Sequence, residues 1–263
     1  MPKKLLLVLL PMLLAACAGQ PLPKPEQPSP PVVVKPEPPK PSEKLNVDQA
    51  VAASKCTTYY WKNRGTAKIG YIKGMVKSYA RSYCRMNPVM TKGLGSTSAD
   101  ALAHYGLNGS TEKQRLKQLY TLLIGLGMRE SSGFYGCGRD MSATNVSHDT
   151  AETGLFQFSY NLNSASPELG KLYAEYKANP SQCDLDTFKQ GSTKSVDERY
   201  AGVGPGLEFQ KFTRFCPAFA AEYTAIGARV RRAHWGPINR KEAEYNKDCE
   251  SLLSTVEAGI SCK

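Results

Sequence analysis

The sequence lacks the patterns that build metal and redox sites. Its eight cysteines include no Cys-x-x-Cys pair, and its three histidines, His104, His148 and His234, stand far apart in the chain. Protein metal sites draw their ligands from clusters of such residues at short, characteristic spacings. We therefore expect no metal site and no cofactor.

Strand-like alternation of polar and apolar residues is also almost absent. Only Leu155–Phe158 has the pattern of a short strand. Apolar residues at intervals of three and four recur instead, for example over 69–86 and 219–233, and Ser166-Pro167 is a typical helix start. The sequence predicts one mainly α domain over residues 46–263, with at most a short strand or hairpin near a binding cleft.

The first apolar run is too short to cross a bilayer. Lys3 and Lys4 precede Leu5–Leu14, a run of ten positions interrupted only by Pro11, whereas a spanning helix needs about 20 residues. A positive start, a short apolar segment and small residues at its end are typical of an export signal. We predict a signal peptide over residues 1–16.

The residues Leu14-Ala15-Ala16-Cys17 resemble the lipobox of bacterial lipoproteins, in which the cysteine becomes the lipidated first residue. The resemblance implies a membrane anchor at Cys17. Ala18, in place of an aspartate, favours the outer membrane, with the domain facing the periplasm. A plain secretory signal with an incidental cysteine is the alternative. Ten of the 18 prolines fall between Pro21 and Pro41, which predicts a semi-rigid tether over 17–45.

Export determines how the other cysteines and the positive charge are interpreted. Cysteines in an oxidising compartment form disulfides more often than metal sites. Seven cysteines besides Cys17 predict three bridges and one free thiol, with the pairing left open. The net charge of +11 attracts polyanions. For an exported, anchored protein we expect cell-wall glycan as the partner and no nucleic acid.

One predicted helix carries a carboxyl group on its apolar side. Thr111 and Gln114 have the spacing of a capping box that opens this helix. Leucines at 116, 119, 123 and 126 form a stripe whose next position is Glu130. The following Ser131-Ser132-Gly133 predicts the helix end. Glu130 is therefore expected on the core side, at the C-terminus of the helix.

That position favours a protonated carboxyl group. Burial disfavours the charged form of Glu130, and the negative end of the helix dipole also raises its pKa. A carboxyl group that stays protonated near neutral pH is suited to general acid catalysis. A structural glutamate paired with Arg129 or Arg139 is the alternative.

Two segments together resemble a known group of enzymes. Gly127–Gly133 (GMRESSG) is followed by Gly154–Gln157 (GLFQ), which begins 24 residues after Glu130. The pair is similar to the lysozyme-like group of lytic transglycosylases and goose-type lysozymes, where a Glu-Ser pair ends a helix and a Gly-Leu-Met-Gln-type segment follows. This resemblance, over roughly residues 115–165, implies a lysozyme-like helical domain that cleaves peptidoglycan strands. It implies Glu130 as general acid and base, with Ser131 and Gln157 in supporting or substrate-binding roles.

Other expected contacts depart from the pattern of that group. The Ala-Tyr-Asn-Ala-Gly segment common in transglycosylases is missing. The stretch 234–240 offers Trp235 as a sugar-stacking platform and Asn239 as a hydrogen-bonding residue instead; a helix terminator that packs its Trp in the core is the alternative. Tyr160 and Asn161, just after the Gln segment, are further candidate substrate contacts. They suit an ordinary turn equally well.

The number of carboxyl groups separates two reaction types. Hydrolysis usually needs two, and the candidates for the second are Asp140, Asp149 and Glu152, of which we select Glu152. Lytic transglycosylases need one, because the 6-hydroxyl of the sugar closes onto its own ring carbon to give a 1,6-anhydro product. Goose-type lysozymes place an acid shortly after the Gln, where this chain has Ser159 and Tyr160, and this difference favours the transglycosylase route. A surface charge in a loop is the alternative for Glu152. A glycan-binding or architectural lipoprotein without catalysis, and a glycoside hydrolase acting on another polysaccharide, are the alternatives.

Overall fold

The computed structural model describes residues 46–140 and 147–262, and it confirms a mainly α domain. The predicted signal peptide (1–16), Cys17 and the tether (17–45) lie outside the described residues. Within the described residues, no helix is both long and apolar enough to cross a membrane.

Short and medium helices follow one another along the chain and are joined by turns and 3₁₀ segments. The 3₁₀ segments are Lys55–Thr57, Tyr160–Ala165, Pro180–Cys183 and Arg232–His234. The α-helices are α1 (Val47–Ala53), α2 (Ile69–Arg85), α3 (Pro88–Thr91), α4 (Ala101–Tyr105), α5 (Glu112–Ser131), α6 (Pro167–Ala178), α7 (Leu185–Lys189), α8 (Gly204–Phe215), α9 (Pro217–Val230), α10 (Gly236–Asn239) and α11 (Lys247–Glu257).

Helix α5 begins and ends where the sequence predicts. The hydroxyl of Thr111 accepts a hydrogen bond from the Gln114 amide (3.1 Å), and the Gln114 side chain accepts one from the Thr111 amide (3.2 Å). These bonds satisfy amides that have no partner within the helix. The helix stops at Ser131, because Ser132 takes a left-handed conformation with φ 56°.

Two glycines let α5 approach its neighbours closely. A Cβ atom on Gly125 would overlap the backbone of Glu244, and one on Gly127 would overlap the Tyr71 hydroxyl. Tyr71, in α2, donates a hydrogen bond to the carbonyl of Ile124 (2.7 Å). Helix α5 also packs against α3, α9 and α11. It is therefore the central element that carries Glu130.

Aromatic rings fill the space between α6, α8 and α9. Phe209, Phe219 and Tyr223 lie within 6 Å of one another, measured between ring centroids. Phe158 stacks on Tyr223 at 4.9 Å, and Tyr173 meets Phe209 edge-on at 5.1 Å. Such contacts stabilise a core beyond the area they bury. They hold the chain immediately after the Gly154–Gln157 segment.

The structure contains a short hairpin, but residues other than the predicted Leu155–Phe158 form it. Strands β1 (Tyr60–Trp61) and β2 (Gly65–Thr66) form an antiparallel hairpin. Leu155–Phe158 is not a strand; only one bridge joins Thr153 to Phe158. Gly154 and Gln157 have positive φ angles of 81° and 45°, which break the extended conformation that a strand requires.

The disulfides agree with the predicted number. Bridges join Cys56 to Cys249, Cys84 to Cys262 and Cys183 to Cys216, and Cys137 is unpaired. The first two bridges connect residues 193 and 178 positions apart. They tie the C-terminal helix α11 and the chain that follows it to the start of the domain, which constrains the unfolded chain strongly.

Thiol counting tests this assignment. The Cys17→Ser chain, unfolded in denaturant without reductant, should contain one reactive thiol, and Cys17→Ser/Cys137→Ser should contain none. In the folded protein Cys137 should react slowly with a thiol reagent, because it is half-buried and burial raises its pKa. Three or more reactive thiols in the unfolded chain would contradict the bridges.

Candidate active site

The end of α5 opens into a polar cleft of about 440 Å³. Three predicted residues line it together: Glu130, Glu152 and Gln157. Five arginines and one further carboxyl group, that of Asp140, also line the cleft. The complete lining consists of Arg64, Arg129, Glu130, Cys137, Gly138, Arg139, Asp140, Glu152, Gln157, Arg199, Pro237 and Arg240.

Ser131 joins the end of α5 to the Gly154–Gln157 segment. Its hydroxyl lies 3.1 Å from the carbonyl oxygen of Gly127 and 2.8 Å from that of Leu155, and it donates to both. The residue is buried. The geometry fits the supporting one of the two roles implied for Ser131, because this side chain holds the backbone on both sides of the cleft floor.

The side chain of Gln157 joins two backbone segments beside the cleft. Its side-chain amide donates to the carbonyls of Gly138 (3.1 Å) and Gly154 (2.9 Å), and the Gly154 amide donates to the carbonyl of Cys137 (3.0 Å). These bonds fix the chain at 137–138 against the turn at 154–157. Gln157 therefore lines the cleft while its amide group supports two backbone segments.

The expected sugar-stacking role of Trp235 is wrong. Its ring is 1% exposed, and its indole N–H donates to the carbonyl of Phe156 (2.9 Å). It packs so closely on α9 that a Cβ atom on Gly227 would lie 2.6 Å from the ring. No face of the ring is available to a sugar, and Trp235 instead anchors the Gly154–Gln157 segment from behind.

Asn239 does not line the cleft, and its substrate-binding role stays a prediction. Its side-chain oxygen accepts from Arg232 (2.5 Å), and its amide donates to the carbonyl of Ala233 (3.0 Å). Both polar groups are used within the turn at 232–239. Proximity in sequence to the cleft residues Pro237 and Arg240 is not enough, because α10 turns Asn239 away from them.

Tyr160 and Asn161 form the ordinary turn that was the alternative for them. The Tyr160 ring meets Phe209 edge-on at 5.6 Å. The side-chain oxygen of Asn161 accepts a hydrogen bond from the Ser159 hydroxyl (2.7 Å), and its backbone amide donates to the carbonyl of Asp149 (2.9 Å). Neither residue lines the cleft, so a contact with substrate there stays a prediction for both.

The surroundings of Glu130 favour the protonated form of its carboxyl group. Its carboxyl group makes no ion pair or hydrogen bond with the described residues, and Arg129, one of its expected partners, pairs with Glu242 (3.2 Å). Burial, reinforced by the charge of Glu152, raises the pKa of Glu130 to about 8. Arg64, Arg240 and Arg129 act in the opposite direction but do not reverse the shift.

Glu152 is a second carboxyl group with a raised pKa. Burial, with a contribution from the charge of Asp140, raises the pKa of Glu152 to about 7. Its nearest basic neighbour is His234, whose Nε2 lies 3.7 Å from the Glu152 oxygen. Burial and the charge of Arg231 lower the pKa of His234 to about 4. The histidine is therefore neutral at pH 7, and the contact is not an ion pair despite its distance. Asp149 does not line the cleft.

The sequence suggested Arg129 and Arg139 as neighbours of Glu130, but it did not reveal that five arginines gather at the cleft. Arg129 and Arg240 share the carboxylate of Glu242, at 3.2 and 2.9 Å, and Arg199 is paired with Asp197. The five cleft arginines come from distant parts of the chain, so no spacing could reveal them. The only sequence signal was the overall surplus of basic residues.

Comparisons of the chain with models of protein families, with curated proteins and with solved structures found no match. The lysozyme-like resemblance therefore depends on the two sequence segments around Glu130 and Gln157.

The raised pKa of Glu130 predicts a pH-dependent stability. The unfolded chain loses this proton near pH 4.5 and the folded chain only near pH 8, so the stability that the proton confers is complete below about 4.5 and is lost as the pH rises through about 8. Glu130→Gln should therefore raise Tm relative to the wild type by a few degrees more at pH 8 than at pH 5, since 1 kcal/mol shifts Tm by about 2–4 °C in a domain of this size.

Glu112→Gln is the matched control for this measurement, because Glu112 is exposed at the opposite end of the same helix. Its Tm difference from the wild type should not grow between pH 5 and pH 8. A Tm difference for Glu130→Gln that is equally flat would show that the carboxyl group ionises normally in the folded protein.

Proposed function

We propose that this protein cleaves glycosidic bonds of peptidoglycan, with Glu130 as the general acid. One observation carries the proposal: a glutamate with a pKa of about 8 lies in an open polar cleft, without an ion-pair partner among the described residues. A structural carboxyl group is ordinarily paired when it is buried. A general acid must instead keep its proton near neutral pH and present it to the substrate.

In the proposed reaction Glu130 donates its proton to the glycosidic oxygen as the bond from that oxygen to the sugar ring carbon breaks. Positive charge develops on the ring carbon in the transition state. In the transglycosylase route the ionised Glu130 then accepts the proton of the sugar's 6-hydroxyl, whose oxygen bonds to the same ring carbon. The product is a 1,6-anhydro sugar, and Glu130 is again protonated.

The position of Glu152 favours hydrolysis as a second candidate reaction. It lines the same cleft, and with a pKa of about 7 a substantial fraction is ionised near neutral pH. An ionised carboxylate there can accept a proton from water or stabilise the developing positive charge. Water would then take the place of the 6-hydroxyl, and the product would have a reducing end.

The proposal includes a cell-envelope location. The signal-like segment 1–16, the lipobox-like Cys17 and the proline-rich tether 17–45 support anchoring in the outer membrane, with the domain facing the periplasm. If residues 18–45 were fully extended at roughly 3.1 Å each, they would reach at most about 85–90 Å, which would let an anchored domain contact cell-wall glycan. The partners are thus glycan strands and a membrane, and no nucleic acid.

Glu130→Gln tests the acid role. This change keeps the size of the side chain but removes the transferable proton, so cleavage of purified peptidoglycan should fall about 10²- to 10⁴-fold. Mass spectrometry of released fragments measures it, and Glu112→Gln is the control that should retain full activity. Full activity of folded Glu130→Gln would leave the binding or architectural alternative as the better account.

Glu152→Gln separates the two reactions. A transglycosylase should keep substantial turnover and still release 1,6-anhydro ends, because Glu130 alone carries its proton transfers. A hydrolase that depends on the second carboxyl group should lose most of its turnover, and its wild-type products should have reducing ends. Anhydro products together with an inactive Glu152→Gln would contradict the one-carboxylate route.

A further inference from the structure

A second cavity adjoins the cleft at the end of α5. It has a volume of about 390 Å³ and is lined by Ser132 and Gly133, which directly follow Glu130 and Ser131 in the chain. Its other walls include Phe134, Lys68 and Lys194. Arg64 lines both cavities. The end of α5 therefore lies between two cavities that meet at Arg64.

The second cavity is positively charged. Arg64, Lys68 and Lys194 line it, and none of its described lining residues is acidic. The ammonium group of Lys194 lies 5.6 Å from the centre of the Phe134 ring, which holds the cation over an aromatic surface. A positive cavity without internal counter-charges attracts an anionic group of a ligand.

Arg64 differs from three other arginines of the cleft in its ion pairing. Arg129, Arg240 and Arg199 have carboxylate partners, whereas the Arg64 side chain makes no hydrogen bond or ion pair with the described residues. Its guanidinium group is exposed. The planar fork of an arginine matches the two oxygens of a carboxylate.

The backbone under Arg64 is fixed. Arg64 lies in the turn between β1 and β2, and its amide donates to the carbonyl of Trp61 (2.9 Å), whose ring is buried. Glu244 holds the first strand, because its carboxylate accepts from the Lys62 amide and the Tyr59 hydroxyl, each at 2.8 Å. The turn can therefore present the guanidinium group at a defined place beside the cleft.

We infer that Arg64 binds a carboxylate carried by the glycan substrate, where the two cavities meet, and so selects acidic glycan strands over neutral ones. The inference rests on the proposed function for the identity of the polymer. In peptidoglycan the free carboxylate has two possible sources: the attached peptide or, on a sugar that has lost its peptide, the lactyl group. Lys68 and Lys194 extend the positive surface towards either source.

Arg64→Gln tests the inference, with Lys62→Gln as the matched control on the same hairpin. Lys62 is exposed and lines neither cavity. The measured quantity is a preference ratio, kcat/KM on soluble peptidoglycan strands divided by kcat/KM on the same strands with their carboxyl groups converted to methylamides. Arg64→Gln should lower this ratio about 10- to 100-fold, and Lys62→Gln should not change it.

Amidase treatment removes the peptides and frees the lactyl carboxyl groups, so the same ratio measured on peptide-bearing and on amidase-treated strands distinguishes the two sources. If the Arg64-dependent preference occurs on peptide-bearing strands, Arg64 binds the peptide; if it occurs only on amidase-treated strands, Arg64 binds the lactyl carboxylate. An unchanged ratio in Arg64→Gln on both peptide-bearing and amidase-treated strands would overturn the inference, even if activity fell equally on the native strands and their methylamides. An equal fall of the ratio in Lys62→Gln would overturn it too.

Affinity keeps this test independent of catalysis. The ratio of Kd values for the same two strand types, measured on the wild-type chain and on both variants, should change in the same pattern even without turnover. Absence of cleavage with an Arg64-dependent preference in Kd would reject the proposed reaction and retain the carboxylate site. Cleavage with no Arg64-dependent preference would do the reverse.

Discussion

The close packing of α5 against the chain at Glu244 is the constraint on which the site depends. Gly125 permits this approach, because any larger residue would overlap the Glu244 backbone. The side chain of Glu244 in turn holds the β hairpin through Lys62 and Tyr59. One contact therefore sets the position of the helix that carries Glu130 and of the turn that carries Arg64. These elements are more than a hundred residues from Glu244 in the chain, and they act as a single wall.

The cleft raises the pKa of two of its carboxyl groups while its arginines stay charged. Burial raises the pKa of Glu130 and Glu152, whereas the guanidinium groups of the arginines stay protonated at every physiological pH. The result is a positive cleft that contains proton donors, an arrangement suited to an anionic polymer. It also costs stability, because the folded protein must either hold these protons or bury charge.

Local patterns predicted the site only where local rules determine the structure. The capping box at Thr111, the end of α5 and the inward position of Glu130 follow from helix periodicity and caps, and each is present. The number of disulfides followed from a count. Leu155–Phe158 failed as a strand because its positive φ angles are stabilised by contacts from distant segments, including the bond from Trp235 to Phe156.

The predicted site residues that do not line the cleft share one physical cause. Trp235 and Asn239 lie close in sequence to cleft residues, but whether a side chain faces a cleft depends on which neighbours satisfy its polar groups. The Trp235 N–H finds a backbone carbonyl inside the core, and both ends of the Asn239 amide are used within one turn. The cleft arginines show the converse, since their clustering arises only when separate segments pack together. Sequence periodicity predicts the buried side of one helix, but it does not predict which separate segments come into contact.

The charge of Glu152 affects the protonation state of Glu130. Its negative charge raises the pKa of Glu130, against the three arginines that lower it. Its own pKa is raised in turn by Asp140, while the neutral His234 beside it supplies no compensating cation. Carboxyl groups coupled in this way hold a proton among them at a pH where isolated carboxyl groups would all be ionised. Glu152 therefore helps Glu130 to remain an acid even if Glu152 itself never exchanges a proton with the substrate.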